Sequence, residues 1–217
     1  MEISDTVVML GRFPALAGAT LLVQRGESVL LRGPNGAGKS TLLRLCAGLL
    51  RPARGTARVL GLDLLKDRRE IRRRIGYVGH QSMLYDDLTV SENLQFWSKA
   101  AGVEATQQQA AADRMQIDPR LYDVPVSALS SGQRRRTSIA VAAARRPELW
   151  LLDEPHAGVD QEGRQVIDDL IRDAASAGGA VLVASHELDR AETVVHRTVE
   201  ISGGCLLYTS PSPRDRG

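Results

Sequence analysis

Gly33-Pro-Asn-Gly-Ala-Gly-Lys-Ser40 is the stretch on which the reading of this chain turns. It follows the apolar run at 28–31, read as a buried strand. It precedes Leu42, Leu45, Cys46 and Leu49 at helical spacing, which predicts a helix over 39–49. The pattern is G-x-x-x-x-G-K-[ST] between a strand and a helix, and each part has a physical task. Gly33, Gly36 and Gly38, with Pro34, Asn35 and Ala37 between them, let backbone N–H groups turn inward around phosphate oxygens without a Cβ in the way. Lys39 is placed to reach the β- and γ-phosphates, and the Ser40 hydroxyl can ligate Mg²⁺. Thr41 lies in the first turn of that helix, whose positive N-terminal end points at the anion. A glycine-rich loop alone could be a tight turn; Lys39 and Ser40 in register after a strand make it a phosphate site.

The second informative stretch is Leu149-Trp-Leu-Leu-Asp153-Glu154. An apolar strand buried on both faces delivers its terminal acids to the carboxyl edge of a sheet, where ligands of α/β folds collect. There Asp153 can hold Mg²⁺ through water, and Glu154 can take a proton from an attacking water or orient it. Two adjacent acids are usually surface groups, and the phosphate loop is what makes this pair informative.

Around these stretches the chain alternates strand and helix. Residues 7–10 and 19–23 read as short edge strands joined by a turn-rich stretch at 11–18. The basic run RREIRRR at 68–74 reads as the solvated face of a helix feeding a strand at 75–78. Thr89 and Glu92 have capping-box spacing, opening a helix near Ser91. From there to about 144 the chain looks mainly helical, then come a strand at 149–152, a helix at 161–175, a strand at 180–184 and a helix at 188–195. No motif occurs twice, so one nucleotide-binding unit is expected.

Both motifs fit any nucleotide hydrolase with a phosphate loop. The discriminating segment is Leu129-Ser-Ser-Gly-Gln133, which resembles the signature motif of ABC ATPases. Ser130 and Gln133 are also spaced as a capping box, so by itself the segment could be a well-capped helix start. Three further matches follow the family's order. Gln81 in Gly-His-Gln81 resembles the Q-loop glutamine, Asp160 in Ala157-Gly-Val-Asp160 the D-loop aspartate, and His186 the switch histidine. The resemblance spans 7–204 and implies an α/β fold, a P-loop NTPase core of the ABC ATPase type with a helical subdomain at about 88–144 and a small antiparallel β subdomain.

The resemblance also implies a homodimer or heterodimer of ATPase subunits packed head to tail, each closing the other's ATP. Ser130, Ser131, Gly132, Gln133 and Asp160 would then act in trans on ATP bound by the partner's loop. Catalysis would use Glu154, His186 and Gln81; Mg²⁺ would be held by Ser40, Gln81 and Asp153. Separate transmembrane subunits are implied, with the chain peripheral on the cytoplasmic side of the membrane. Two departures stand out. Leu10 occupies the position where many relatives stack an aromatic on adenine, with Phe13 nearby but out of register. Ser131 replaces the first glycine of L-S-G-G-Q.

Gly79-His-Gln81, Asp123-Val-Pro-Val126 and Leu129-Ser-Ser-Gly-Gln-Arg-Arg135 together resemble the CcmA family, ATPases of the haem exporter of cytochrome c maturation. That implies a CcmB-like membrane partner. Another small exporter, for drugs or polysaccharides, or a soluble ABC ATPase of iron–sulfur assembly are the rival readings.

Bulk properties agree. With 43% apolar and 25% charged residues the composition is that of a globular protein. A formal charge of +2 gives no reason to expect nucleic-acid affinity. Two cysteines point to a reducing compartment, and Glu2 and Asp5 stand where a signal peptide carries positive charge. The last stretch, CLLYTSPSPRDRG at 205–217, looks like the translation of a transposase adapter used in preparing sequencing libraries, so the native unit is expected to span 1–204.

Overall fold

Strands and helices follow the distribution of apolar side chains closely. In the computed structural model, which describes residues 1–186 and 188–211, β1 (Glu2–Leu10) and β2 (Phe13–Leu22) form a hairpin before β3 (Ser28–Arg32) and α1 (Lys39–Cys46). Next come β4 (Arg54–Val59), β5 (Leu62–Asp63), α2 (Arg68–Arg74) and β6 (Ile75–Val78). The helical segment holds α3 (Val90–Ala101), α4 (Ala105–Arg114), two 3₁₀ turns at Pro119–Leu121 and Val126–Ala128, and α5 (Ser131–Ala143). The chain then runs through β7 (Leu149–Asp153), α6 (Gln161–Ser176), β8 (Ala180–Ala184), α7 (Leu188–Ala191), β9 (Arg197–Ser202) and β10 (Cys205–Pro211).

Two sheets result. The main one has the order β10-β9-β3-β8-β7-β6, parallel except for β10; the other is antiparallel, β2-β1-β4-β5. β7 and β8 are buried at every residue, as a sheet covered on both faces requires. Their side chains alternate between two cores. Val29, Leu31, Leu149, Leu151 and Leu182 pack with Leu42 and Leu45 of α1 and with the antiparallel sheet; Leu30, Trp150, Leu152, Val181 and Val183 pack with Ile139 of α5 and with Ile167 and Ile171 of α6. Each such fully buried side chain contributes roughly 1.5–3 kcal/mol.

Three boundaries differ from expectation. β1 and β2 are nine and ten residues long and only Gly11 and Arg12 separate them, so the stretch at 11–18 is mostly strand rather than turns. α1 stops at Cys46, because Gly48 takes φ 66° and turns the chain out. The last helix is the short Leu188–Ala191. Cys205–Pro211, within the stretch read as adapter-derived, is paired as β10 on β9, with Leu206 packed against the first core; residues 212–217 lie outside the described residues. Among the described residues no helix is long and apolar enough to cross a membrane.

Candidate active site

Strand order decides what meets at the carboxyl edge of the main sheet. The neighbours β3, β8, β7 and β6 end, in that sequence, at the glycine-rich loop, at His186, at Asp153 and Glu154, and at the loop bearing Gln81. Residues far apart in the chain are thereby collected along one rim.

The loop is wrapped around the head of Lys39. Its Nζ donates to the carbonyls of Gly33 at 2.6 Å and Pro34 at 3.2 Å, and the residue is buried. Glycine is required at two points: a Cβ on Gly33 would drive into the Ile201 carbonyl, and one on Gly38 would lie 2.6 Å from the Ala15 carbonyl. Gly38 also stands at φ 110°, a conformation that L side chains rarely adopt. The turn after β9 fastens the loop from outside, for Gly204 N–H donates to the Ala37 carbonyl at 3.0 Å and Gly204 O accepts from Ala17 N–H at 2.9 Å. Pro34, Asn35, Gly36 and Ser40 face solvent, while Ala37, Gly38 and Thr41 are buried.

Asp153, the last residue of β7, is 2% exposed. Burial raises its pKa; Ser40 works against that rise, Glu154 adds to it, and His80 and Arg135 oppose it. Its Oδ2 is buried without a hydrogen-bond partner among the described residues. An unpartnered carboxylate oxygen beside a hydroxyl fits a hydrated Mg²⁺, which would favour the ionised carboxylate.

Glu154 takes φ 51°, a left-handed conformation for a non-glycine residue that costs of the order of 1–3 kcal/mol. Its N–H donates to the Ala184 carbonyl at 2.8 Å and its own carbonyl accepts from Ala157 N–H at 3.2 Å, which hold the turn. The kink aims the carboxylate across to the end of β8. Glu154 Oε2 accepts from His186 N–H at 3.2 Å and lies 2.8 Å from His186 Nδ1. The glutamate is mostly shielded, its side chain 15% exposed, while that of His186 is 63% exposed. A carboxylate held by a histidine at the rim can accept a proton from water.

Gln81 and His80 are exposed on the loop after β6. A residue to which the sequence assigned no role holds that loop: buried Arg135 of α5 donates to the carbonyls of Gly79 at 2.7 Å and His80 at 3.3 Å. Burial lowers its pKa, with Asp153 and Glu154 acting in the opposite sense. Arg135 was masked in the run Arg134-Arg-Arg136, where nothing in the spacing singles out one arginine.

Ser130 caps α5 in a reciprocal box: its Oγ accepts from Gln133 N–H at 3.2 Å, and its N–H donates to Gln133 Oε1 at 2.9 Å. Ser131 Oγ donates to the Gly158 carbonyl at 3.3 Å, and Gly132 lies against the same carbonyl. Asp160 caps α6 by accepting from Gly163 N–H at 2.9 Å. The structure thus joins Ser131 and Gly132 to the turn before Asp160, whereas Lys39, Asp153, Glu154 and His186 gather at the rim. Leu10 and Phe13 are paired at the exposed tip of the first hairpin.

Comparison with known proteins agrees with this geometry. Residues 16–157 match the ABC transporter family. The cytochrome c biogenesis ATP-binding export protein CcmA of Rhodospirillum rubrum is 39% identical over 183 residues, covering 84% of this chain and 78% of that protein. The probable multidrug ABC transporter ATP-binding protein YbhF of Escherichia coli is 35% identical over 195 residues, 88% of this chain but 34% of that longer protein. Among solved structures, a dimeric bacterial ABC transporter cassette superimposes with a TM-score of 0.89 at 25% identity, covering 100% of this chain and 99% of that one.

Proposed function

This chain belongs to the ABC transporter family, and from that premise we propose that it is the ATP-hydrolysing subunit of a haem exporter of cytochrome c maturation, working as a dimer on separate membrane subunits. It is an ATP-binding protein and an ATP hydrolase of the ABC type. The finer assignment is supported by the likeness to CcmA and implies a CcmB-like membrane partner on the cytoplasmic side of the membrane. We read 1–204 as one nucleotide-binding unit, with the helical part at about 88–144.

The convergence of Lys39, Asp153, Glu154 and His186 on adjacent strand ends is the observation that carries the reading. In the proposed reaction the loop from Gly33 to Thr41 holds the phosphates through backbone N–H groups and Lys39. Ser40, Asp153 and Gln81 would hold Mg²⁺, which would supply shielding of the phosphate charge. Glu154 takes the proton of the attacking water, and His186 keeps the carboxylate oriented while facing the γ-phosphate. Ser130, Ser131 and Gly132 of a second copy, with Gln133 and Asp160, close the nucleotide from the other side. Loss of the γ-phosphate removes what those groups grip, so hydrolysis loosens the dimer.

Glu154→Gln is the direct test. It keeps size and hydrogen-bonding reach but removes the base, so ATP binding persists while turnover falls by about 10²–10⁴-fold. ATP turnover at the wild-type rate would refute the assignment of Glu154.

A drug exporter is the second reading, favoured by the likeness to YbhF. Co-purification with a co-expressed CcmB-type membrane protein supports haem export; capture only by a drug-exporter membrane subunit supports the rival.

A further inference from the structure

We infer that His156, Asp168 and Arg190 form a strut with a buried core that positions Glu154 against His186, and that ATP turnover depends on it. The inference rests on the reading of Glu154 and His186 as the hydrolytic pair. His156 stands two residues after Glu154, in the same turn, and is 1% exposed. Its Nε2 lies 2.8 Å from Oδ1 of Asp168, a residue of α6 that is 2% exposed. The other oxygen of that carboxylate, Oδ2, accepts from the Arg190 guanidinium at 2.6 Å. Arg190 belongs to α7, four residues beyond His186. One buried carboxylate therefore clamps the turn that carries the proposed base to the short helix that follows the proposed switch histidine.

Three features argue that the cluster serves geometry rather than stability. A buried ion pair often stabilises a fold no more than well-packed apolar side chains filling the same space. The cluster is also incompletely satisfied, since His156 Nδ1 and Arg190 Nε are buried without hydrogen-bond partners among the described residues. Its directional bonds nevertheless fix the relative position of two elements, which apolar packing does less specifically. Asp168 stays ionised in this setting: burial opposes its charge, but the hydrogen bonds from His156 and Arg190 outweigh burial and lower its pKa. The link to the site is short. His156 O accepts from Val159 N–H at 3.1 Å inside the turn whose first residue is the left-handed Glu154. A shift of the imidazole therefore moves the peptide that aims Glu154 and the approach to Asp160. These three are positioning residues, since they act through Glu154 and His186.

The test compares wild type, Glu154→Gln, Arg190→Met, Arg190→Lys, His156→Leu and the His156→Leu/Arg190→Met double variant. Steady-state ATPase kinetics and melting temperature are measured for each. Arg190→Met is expected to lower kcat about tenfold with KM changed less than about twofold, because the phosphate loop is untouched. Arg190→Lys restores most of kcat, since a cation again meets Asp168. The double variant loses no more than the worse single variant, as members of one strut must. Arg190 is partly exposed, so Arg190→Met still reports if His156→Leu fails to fold. The strut is refuted if Arg190→Met turns over at the wild-type rate, if the losses multiply independently, or if lysine gives no rescue. If wild type hydrolyses ATP and Glu154→Gln does not while Arg190→Met is fully active, only the strut falls. If Glu154→Gln hydrolyses like wild type, the reading beneath it falls as well.

Discussion

Lys39 carries two duties at once. Its ammonium cross-links the loop from inside through the Gly33 and Pro34 carbonyls, and in the proposed function the same group meets phosphate. Lys39→Ala removes both, so ATP affinity should fall by about tenfold to a hundredfold, the range of a lost charge-assisted contact. Calorimetric titration decides it; equal affinity in the variant would refute the phosphate-loop role. At this scale the sequence was legible wherever chemistry demanded an unusual residue in a fixed register, as with Lys39, Asp153 and Glu154. It was silent where an ordinary residue gained its task from tertiary contact. Arg135 and Asp168 each stand in a run of like charges, and nothing local tells which arginine grips Gly79 and His80 or which aspartate meets His156. His156 lies between Glu154 and Asp160 in a turn, and only its tertiary contact with Asp168 gives it a task.

Elements announced by an uninterrupted apolar run or a capping box were legible. β7, β8, the reciprocal box Thr89–Glu92 and the box Ser130–Gln133 all stand where the sequence put them. β4 was not, because it buries only Ala57 and Val59 and exposes Arg54, Thr56 and Arg58, which gives a faint alternation. β5, two residues long, has no pattern to read. β10 raises a different matter, because backbone pairing is indifferent to where a sequence came from. The 205–217 string reads as foreign to the unit, yet β10 covers the edge of β9 and seats Leu206 on the core. Deleting 205–217 should therefore lower the melting temperature by about 5 °C, a loss of roughly 2 kcal/mol in a chain of this size. An unchanged thermal transition would mean that β10 contributes nothing to stability.

For the whole molecule the proposed arrangement is a pair of chains, and complementation tests it. Ser130 should serve the nucleotide held by the partner's Lys39, so Ser130→Arg and Lys39→Ala homodimers are both inactive. A linked heterodimer of the two has one composite site with both lesions and another with neither, and it should recover measurable hydrolysis. No turnover, in a linked heterodimer shown to bind ATP at its intact site, defeats the trans model. The topology has a further consequence in time. Ser28 pairs with Val181 and Val29 with Arg197, so the strand that feeds the phosphate loop finds its neighbours only near the far end of the chain. Contacts of such long range close late and slowly. A ribosome that has finished the glycine-rich loop must still make the strands that frame it, and a nascent chain halted before them has no scaffold on which to spend ATP.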